Sequence, residues 1–180
     1  SLFDSNAISE TTILGGGNKK TIIIEDAQSP TLTVDAGTGD DLVQLVDSNA
    51  GQNSFAGGDD IDILEYPGAG TKTLTGIGSG EIVGDPDVDF EEFEYVLAAG
   101  VLDDVIDISA FPGGEDGLAN EILIEATFDN FIGEDVVVVS FRSGPGEPLL
   151  VVGSQIRDNV GTIEVIGGSD DDTLTIDLAN

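Results

Sequence analysis

The chain contains no cysteine, histidine, methionine or tryptophan. Without cysteine it forms no disulfide and has no thiolate nucleophile, and without histidine it lacks imidazole ligands and the commonest proton shuttle. Ser/His/Asp and Cys/His catalytic systems and histidine-ligated zinc are therefore excluded by composition. The chemistry that remains depends on carboxylates, hydroxyls and backbone oxygens.

Basic residues are scarce, since 5 lysines and arginines stand against 36 acidic residues and give a formal net charge of −31. A nucleic-acid partner needs a basic face, and the five basic residues are too few and too scattered to form one: Lys19, Lys20, Lys72, Arg142 and Arg157. The same shortage argues against anionic membranes. The sequence contains no apolar run long enough to predict a membrane-spanning helix. It begins at Ser1 without a signal sequence, which suggests a processed piece of a longer protein.

Hydrophobic residues nevertheless make up 39% of the chain, and β-branched runs such as Thr21 to Ile24 predict a buried core. Helical spacing is almost missing, because Gly or Pro interrupts nearly every window. Short strands between Gly, Asp and Asn turns predict an all-β fold in one domain over residues 1–180. The predicted strands are Thr21 to Glu25, Thr31 to Asp35, Asp41 to Val46, Ile61 to Glu65, Lys72 to Thr75, Asp104 to Ile108, Glu121 to Glu125, Asp135 to Phe141, Leu149 to Val152, Gly161 to Val165 and Asp172 to Asp177.

One further segment, from Val88 to Leu97, alternates apolar and polar residues with a phase slip at Glu91 and Glu92. That slip predicts a β-bulge within a single strand. The preceding acids would then line its solvent face: Asp85, Asp87 and Asp89.

A turn with a glycine, two acids and then a β-branched strand recurs along the chain. The second acid of each copy falls at Asp41, Asp60, Asp104, Asp135 and Asp172, at intervals of 19, 44, 31 and 37 residues. A related turn carries Lys20 in the position of the second acid. The interval from Lys20 to Asp41 is nearly equal to the interval from Asp41 to Asp60. A period of about 20 residues predicts a parallel β-solenoid or β-roll of stacked coils, with an antiparallel β-sandwich as the alternative.

The best copy, GGSDDDTLT from Gly167 to Thr175, resembles the calcium-binding nonapeptide repeats of RTX proteins, whose pattern is G-G-x-G-x-D-x-U-x. Ala36 to Gln44 matches next best. The resemblance implies Ca²⁺ held by carboxylates and turn carbonyls, with fewer or weaker sites than a full array because the copies are solitary. The candidate calcium ligands are Asp40, Asp41, Asp59, Asp60, Asp103, Asp104, Glu134, Asp135, Asp171 and Asp172.

Other interpretations of these acids remain open. Gly-Asp pairs also form β-turns without any metal. An EF-hand at Asp85 fails, because Phe90 and Val96 stand where that loop needs Gly and Glu. Paired carboxylates such as Asp103 and Asp104 would suit a glycosidase, but acid pairs are too abundant here to indicate catalysis. We therefore expect that the protein is not an enzyme.

These observations predict a calcium-stabilised extracellular structural or adhesive module, secreted by or displayed on a bacterium, as a repeat or self-associating subunit of a surface layer, filament or adhesin. Two alternatives are a calcium-dependent β-sandwich binding module and a non-catalytic appendage of a secreted hydrolase. The expected partners are further copies or neighbouring repeats, or a cell-surface or matrix ligand. The apolar run from Val136 to Phe141 would supply an edge for self-association.

Overall fold

The computed structural model describes residues 10–46 and 51–179, and this part of the chain is almost entirely strand and turn. The all-β prediction is therefore confirmed. Two short 3₁₀ turns, Ile108–Ala110 and Arg157–Asn159, are the only helical elements in the described ranges. The strands are β1 (Thr11–Gly17), β2 (Thr21–Ile24), β3 (Thr31–Thr38), β4 (Leu42–Leu45), β5 (Gln52–Asp59), β6 (Ile63–Tyr66), β7 (Gly70–Gly76), β8 (Ser79–Gly84), β9 (Val88–Glu91), β10 (Tyr95–Ala98), β11 (Leu102–Asp107), β12 (Glu121–Asp129), β13 (Glu134–Arg142), β14 (Leu150–Ile156), β15 (Val160–Ile166) and β16 (Thr173–Asp177).

The strands form two eight-stranded sheets. Sheet A has the order β1-β3-β5-β9-β8-β7-β11-β15, and sheet B has the order β16-β12-β13-β14-β10-β6-β4-β2. This two-sheet arrangement fits the sandwich alternative. Its strands are mostly parallel, however, because only four pairings between described strands are antiparallel: β12 with β13, β13 with β14, β7 with β8 and β8 with β9.

The strands from β1 to β6 follow a regular repeat. Successive strands alternate between the sheets, and each strand from β1 to β4 pairs in parallel with the strand two positions later. Thr11 lies opposite Leu32 and Leu32 opposite Asn53, so equivalent positions are 21 residues apart, as Asp41 and Asp62 also are. The predicted repeat is thus present in this part, although Asp41 is equivalent to Asp62 and not to Asp60.

The regular winding ends after Tyr66, so the chain does not form one continuous parallel solenoid. The antiparallel strands β7, β8 and β9 enter sheet A between β5 and β11, and β12, β13 and β14 form an antiparallel meander in sheet B. The later acidic turns are widely spaced in the sequence because these insertions separate them.

Two local predictions were wrong. The segment from Val88 to Leu97 forms β9 in sheet A and β10 in sheet B, because Glu92 adopts a φ of +60° and turns the chain between the sheets instead of making a bulge. Val136–Phe141 is no edge, since β13 lies between β12 and β14. The expected exposure of Asp85, Asp87 and Asp89 is confirmed.

The core lies between the sheets and follows from the alternation of side chains along each strand. Leu32 and Val34 of β3 point inward, and the register places Val34 opposite Phe55 of β5. Val43 of β4 stacks likewise on Leu64 of β6. Each apolar position is thus buried by its equivalent in the next turn.

Glycine is required where consecutive turns approach most closely. Gly58 has a φ of +108°, which favours glycine, and a Cβ there would lie 1.7 Å from the carbonyl oxygen of Gly37. The recurrent glycines of the sequence therefore set the spacing of the turns. In the described ranges, no helix has the length and apolar character needed to cross a bilayer.

We predict that Leu64→Ala destabilises the fold by about 2 to 5 kcal/mol, because Leu64 is fully buried and the truncation leaves a cavity. Leu14→Ala removes the same atoms from a side chain that is 73% exposed, and we expect a change within about 0.5 kcal/mol. Urea unfolding followed by circular dichroism measures both. Equal effects of the two substitutions would contradict the arrangement of the core.

Candidate functional site

A column of charged side chains runs along one line of turns. Lys20, Asp41, Asp62 and Glu94 precede β2, β4, β6 and β10, the four adjacent parallel strands of sheet B. Each acid accepts a hydrogen bond from the backbone N–H of the preceding member: Lys20 to Asp41 Oδ1 at 2.6 Å, Asp41 to Asp62 Oδ1 at 2.7 Å, and Asp62 to Glu94 Oε2 at 2.8 Å. We call these four residues the turn column.

Charge is neutralised at only one end of the turn column. Lys20 Nζ lies 2.9 Å from Asp41 Oδ2 and also donates to the carbonyl oxygen of Asn18. Asp62 has no cation within the described residues, and its Oδ2 is buried without a hydrogen-bond partner there. That oxygen faces Gly57, where a Cβ would lie 2.9 Å from it.

The environment of Asp62 opposes its ionisation. Burial raises the pKa of Asp62 to about 6, and the nearby charges of Glu94, Asp41 and Asp40 act in the same direction, while the N–H of Asp41 opposes them. The carboxylates of the turn column therefore accept main-chain hydrogen bonds, and one of them, Asp62, has a pKa well above its ordinary value of 3.8.

Asp62 and Glu94 were missed in the sequence, because the repeated acids were aligned on Asp60. The register places Asp60 level with Gly39 and Asn18, and all three have positive φ values, of 89°, 101° and 114°. Asp60 is thus the turning residue, and Asp62 is the acid that follows two positions later. The spacing of Lys20 and Asp41, which equals that of Asp41 and Asp62, was the signal that would have identified Asp62.

A second polar cluster lies at the predicted nonapeptide near the end of the chain. Asp172 Oδ1 accepts from Asn120 Nδ2 at 3.0 Å, and Asp172 Oδ2 accepts from the N–H of Gly168 at 3.1 Å. Asp170 Oδ2 accepts from the N–H of Gly117 at 3.0 Å. Asn120 is 1% exposed, and its Oδ1 has no hydrogen-bond partner among the described residues. We call these residues the C-terminal turn cluster.

The other predicted ligands do not gather at one point. Asp103 and Asp104 point to opposite faces of β11, because neighbouring strand residues alternate, and Asp103 accepts from Thr162 N and Oγ1 at 2.8 Å. The remaining predicted ligands lie on the surface: Asp59, Asp60, Glu134, Asp135 and Asp171 are exposed, and half-buried Asp40 accepts from Ile61 N at 3.3 Å. Over residues 10–46 and 51–179, no three acidic side chains converge as a metal site would require.

Asp104 belongs to a third cluster, inside the core, that sequence reasoning did not find. Its Oδ1 lies 3.3 Å from Lys72 Nζ, which also donates to Gln155 Oε1 at 3.0 Å. All three side chains are at most 3% exposed. Burial raises the pKa of Asp104 against the opposing effect of Lys72. We call Lys72, Asp104 and Gln155 the core triad.

Comparisons with known proteins supply no relative: no family model matches the chain, and neither a curated protein nor a solved structure is detectably similar to it. The resemblance to RTX repeats therefore stays a prediction from the motif.

We predict that Asp62→Asn removes a pH dependence of stability. The folded-state pKa of about 6 lies above 3.8, so the folded state binds the proton more tightly, and the stabilisation from Asp62 is lost as pH rises through this interval. The variant should gain thermal stability relative to wild type above pH 6 and lose that advantage near pH 4. Thermal melts at constant ionic strength across this range test the difference.

Asp89→Asn is the matched control, because it removes one negative charge from an exposed strand face. Its melting temperature should follow that of wild type across the same range, apart from a small constant offset. A difference between wild type and Asp62→Asn that does not vary with pH would show that Asp62 ionises normally.

Proposed function

We propose that this protein is a calcium-stabilised structural module of an extracellular assembly, in which the strands from β1 to β6 form a short β-roll. The observation that carries the proposal is the constant register of the parallel strands, together with the turn column that joins one turn to the next. Such stacking bonds each turn to the next, and the carboxylates of the turn column hold the main chain in place. A scaffold role, without catalysis, fits that use of its carboxylates.

The excess of acid is the physical argument for a bound cation. A formal charge of −31 on 180 residues destabilises the folded state through self-repulsion. Ca²⁺ prefers carboxylate and carbonyl oxygens. Asp170 and Asp172 offer such oxygens in the nonapeptide that resembles RTX repeats, and Asn120, which donates to Asp172, adds an Oδ1 that has no hydrogen-bond partner among the described residues.

The calcium affinity expected of such sites supports an extracellular location. Solitary sites with few carboxylates bind Ca²⁺ weakly, and extracellular modules work with dissociation constants near the millimolar range. Weak sites of this kind are filled outside cells and empty in the cytosol. We therefore propose secretion or display at a bacterial surface.

We predict that Ca²⁺ raises the melting temperature and that a chelator lowers it at constant ionic strength. Binding to the folded state alone stabilises by RT ln(1 + [Ca²⁺]/Kd), or about 2.7 kcal/mol at a hundred times Kd. Monovalent salt should replace only part of this effect, because it screens charge without coordinating. Calcium titration by calorimetry and thermal melts measures both quantities.

Asp172→Asn should weaken calcium binding, since it lies in the C-terminal turn cluster, whereas Asp89→Asn removes the same charge from an exposed strand face and should leave binding unchanged. A melting temperature that does not respond to chelator in wild type would refute the calcium part of the proposal. The stacked fold would then stand as a metal-independent scaffold.

The ends of the two sheets suggest how copies join. Beside β15, the last strand of sheet A, a groove of about 510 Å³ is lined by apolar side chains, among them Ile163, Val165, Leu174 and Ile176. At the opposite end, β1 and β2 carry the partly buried Ile13 and Ile22 near Lys19 and Lys20, whereas the last strands adjoin Asp170, Asp171 and Asp177. Head-to-tail stacking of copies would bring apolar ends and opposite charges together.

We predict concentration-dependent self-association that Ile176→Lys abolishes, because Ile176 lines the groove and is 58% exposed. Val83→Lys is the control: Val83 is 55% exposed on β8, which lies inside sheet A and away from both ends. Light scattering coupled to gel filtration, with and without Ca²⁺, reports the mass. A wild-type protein that remains a monomer at all concentrations in both conditions would contradict the proposed assembly.

A further inference from the structure

The core triad joins the two sheets at the centre of the molecule. Lys72 of β7 and Asp104 of β11 lie side by side in register on neighbouring parallel strands of sheet A, and Gln155 of β14 belongs to sheet B. Lys72 Nζ is 3.3 Å from Asp104 Oδ1 and donates to Gln155 Oε1 at 3.0 Å. Lys72 is 2% exposed, Asp104 3% and Gln155 1%.

The surroundings of the core triad are apolar. Lys72 is followed on the inner face of β7 by Leu74, and Asp104 is flanked on the inner face of β11 by Leu102 and Ile106, each at most 1% exposed. A buried ion pair has a large desolvation cost, and this one is poorly satisfied, since Asp104 Oδ1 has no well-aligned hydrogen bond within the described residues. Transfer of the proton from the ammonium group to the carboxylate removes both charges. It also leaves a neutral amine beside a carboxamide.

We propose that Lys72 and Gln155 join in an isopeptide bond, formed without another enzyme, with Asp104 as the catalytic residue that carries the proton. This modification is separate from the proposed calcium sites and from self-association. It requires only these three side chains, of which Lys72 contacts both of the others.

The reaction balances without any oxidant or co-reactant. The neutral Lys72 Nζ attacks Gln155 Cδ, and the carboxylic acid of Asp104 donates a hydrogen bond to the carbonyl oxygen as negative charge develops there. Asp104 then passes a proton to Gln155 Nε2 and takes one from the attacking nitrogen. The Cδ–Nε2 bond breaks, the Nζ–Cδ bond remains, ammonia leaves, and Asp104 ends in the protonated state in which it began.

The geometry is close to what the attack needs. A C=O bond is about 1.2 Å long, so Gln155 Cδ lies no more than about 4.2 Å from Lys72 Nζ, against about 3 to 3.5 Å for a reactive approach. Gln155 Nε2 donates to the carbonyl oxygen of Asn159 at 2.7 Å, which fixes the plane of the amide. A small side-chain movement therefore brings the amine to the carbonyl carbon.

The bond would serve a structural module directly. It would tie β7 of sheet A to β14 of sheet B across 83 residues of chain, where the composition allows no disulfide. A covalent link between the layers restricts the unfolded chain and raises the stability of the folded one, as disulfides do. It would also prevent the two sheets from separating under load.

High-resolution mass spectrometry of the intact, denatured protein is the decisive experiment. We expect a mass below that of the sequence by one ammonia molecule, and tandem spectra of a proteolytic digest that show a branched peptide joining Lys72 to Gln155. A mass equal to that of the sequence would overturn the proposal and leave the core triad as a buried ion pair. Loss of one water molecule would overturn it too, since it would indicate an amide between Lys72 and Asp104.

Variants test the role of each group. Lys72→Met and Asp104→Asn should both restore the full mass and lower the melting temperature, because the first lacks the amine and the second cannot carry the proton. Asp41→Asn is the control, because Asp41 pairs with the partly exposed Lys20, which otherwise donates to the backbone carbonyls of Asn18 and Thr38, and this variant should keep the ammonia loss. Ammonia loss that persists in Lys72→Met would assign it to another site and refute the proposal. The wild-type mass decides the matter even if a core variant fails to fold.

Discussion

The hydrogen bonding of one turn to the next is the constraint on which the rest of this structure depends. Parallel strands of neighbouring turns exchange main-chain hydrogen bonds at a constant register, so equivalent side chains stack in columns. An apolar residue such as Val43 is then buried by Leu64, and an acid such as Asp41 must meet the next acid, Asp62. The same register that builds the core therefore also concentrates negative charge.

The fold reduces this charge problem by using carboxylates as acceptors for main-chain N–H groups. Asp41 and Asp62 each receive a backbone donor, and Asp41 also receives Lys20. A hydrogen bond to a carboxylate favours its charged form, whereas burial and like charges oppose it. At Asp62 burial and repulsion prevail. Asp41 pairs with Lys20, whereas Asp62 meets no cation within the described residues, so position along the column decides which acid is paired.

The sequence predicted the all-β class and most strands, because β-branched runs between Gly and Asp turns have few alternative structures. It predicted the repeat from the acidic turns, but it misaligned Asp60 with Asp41, since turning residues and column residues are both acids. It did not predict that β7 to β9 and β12 to β14 interrupt the winding. Strand order in space depends on contacts between distant segments, which a single sequence does not encode locally.

The core triad was missed because its members form no local pattern in the sequence. Lys72 and Gln155 are isolated polar residues in ordinary strands, and only the pairing of β7 with β11 and the facing of the two sheets unite them with Asp104. Asp104 was chosen as a ligand from the pattern of the turns, yet alternation along β11 directs it into the core and Asp103 to the surface. Apolar residues of similar size would satisfy the core at lower cost, because a poorly satisfied buried ion pair contributes little stability. A buried lysine in contact with both a carboxyl and a carboxamide group is therefore better explained by the chemistry these groups can perform than by the packing they provide.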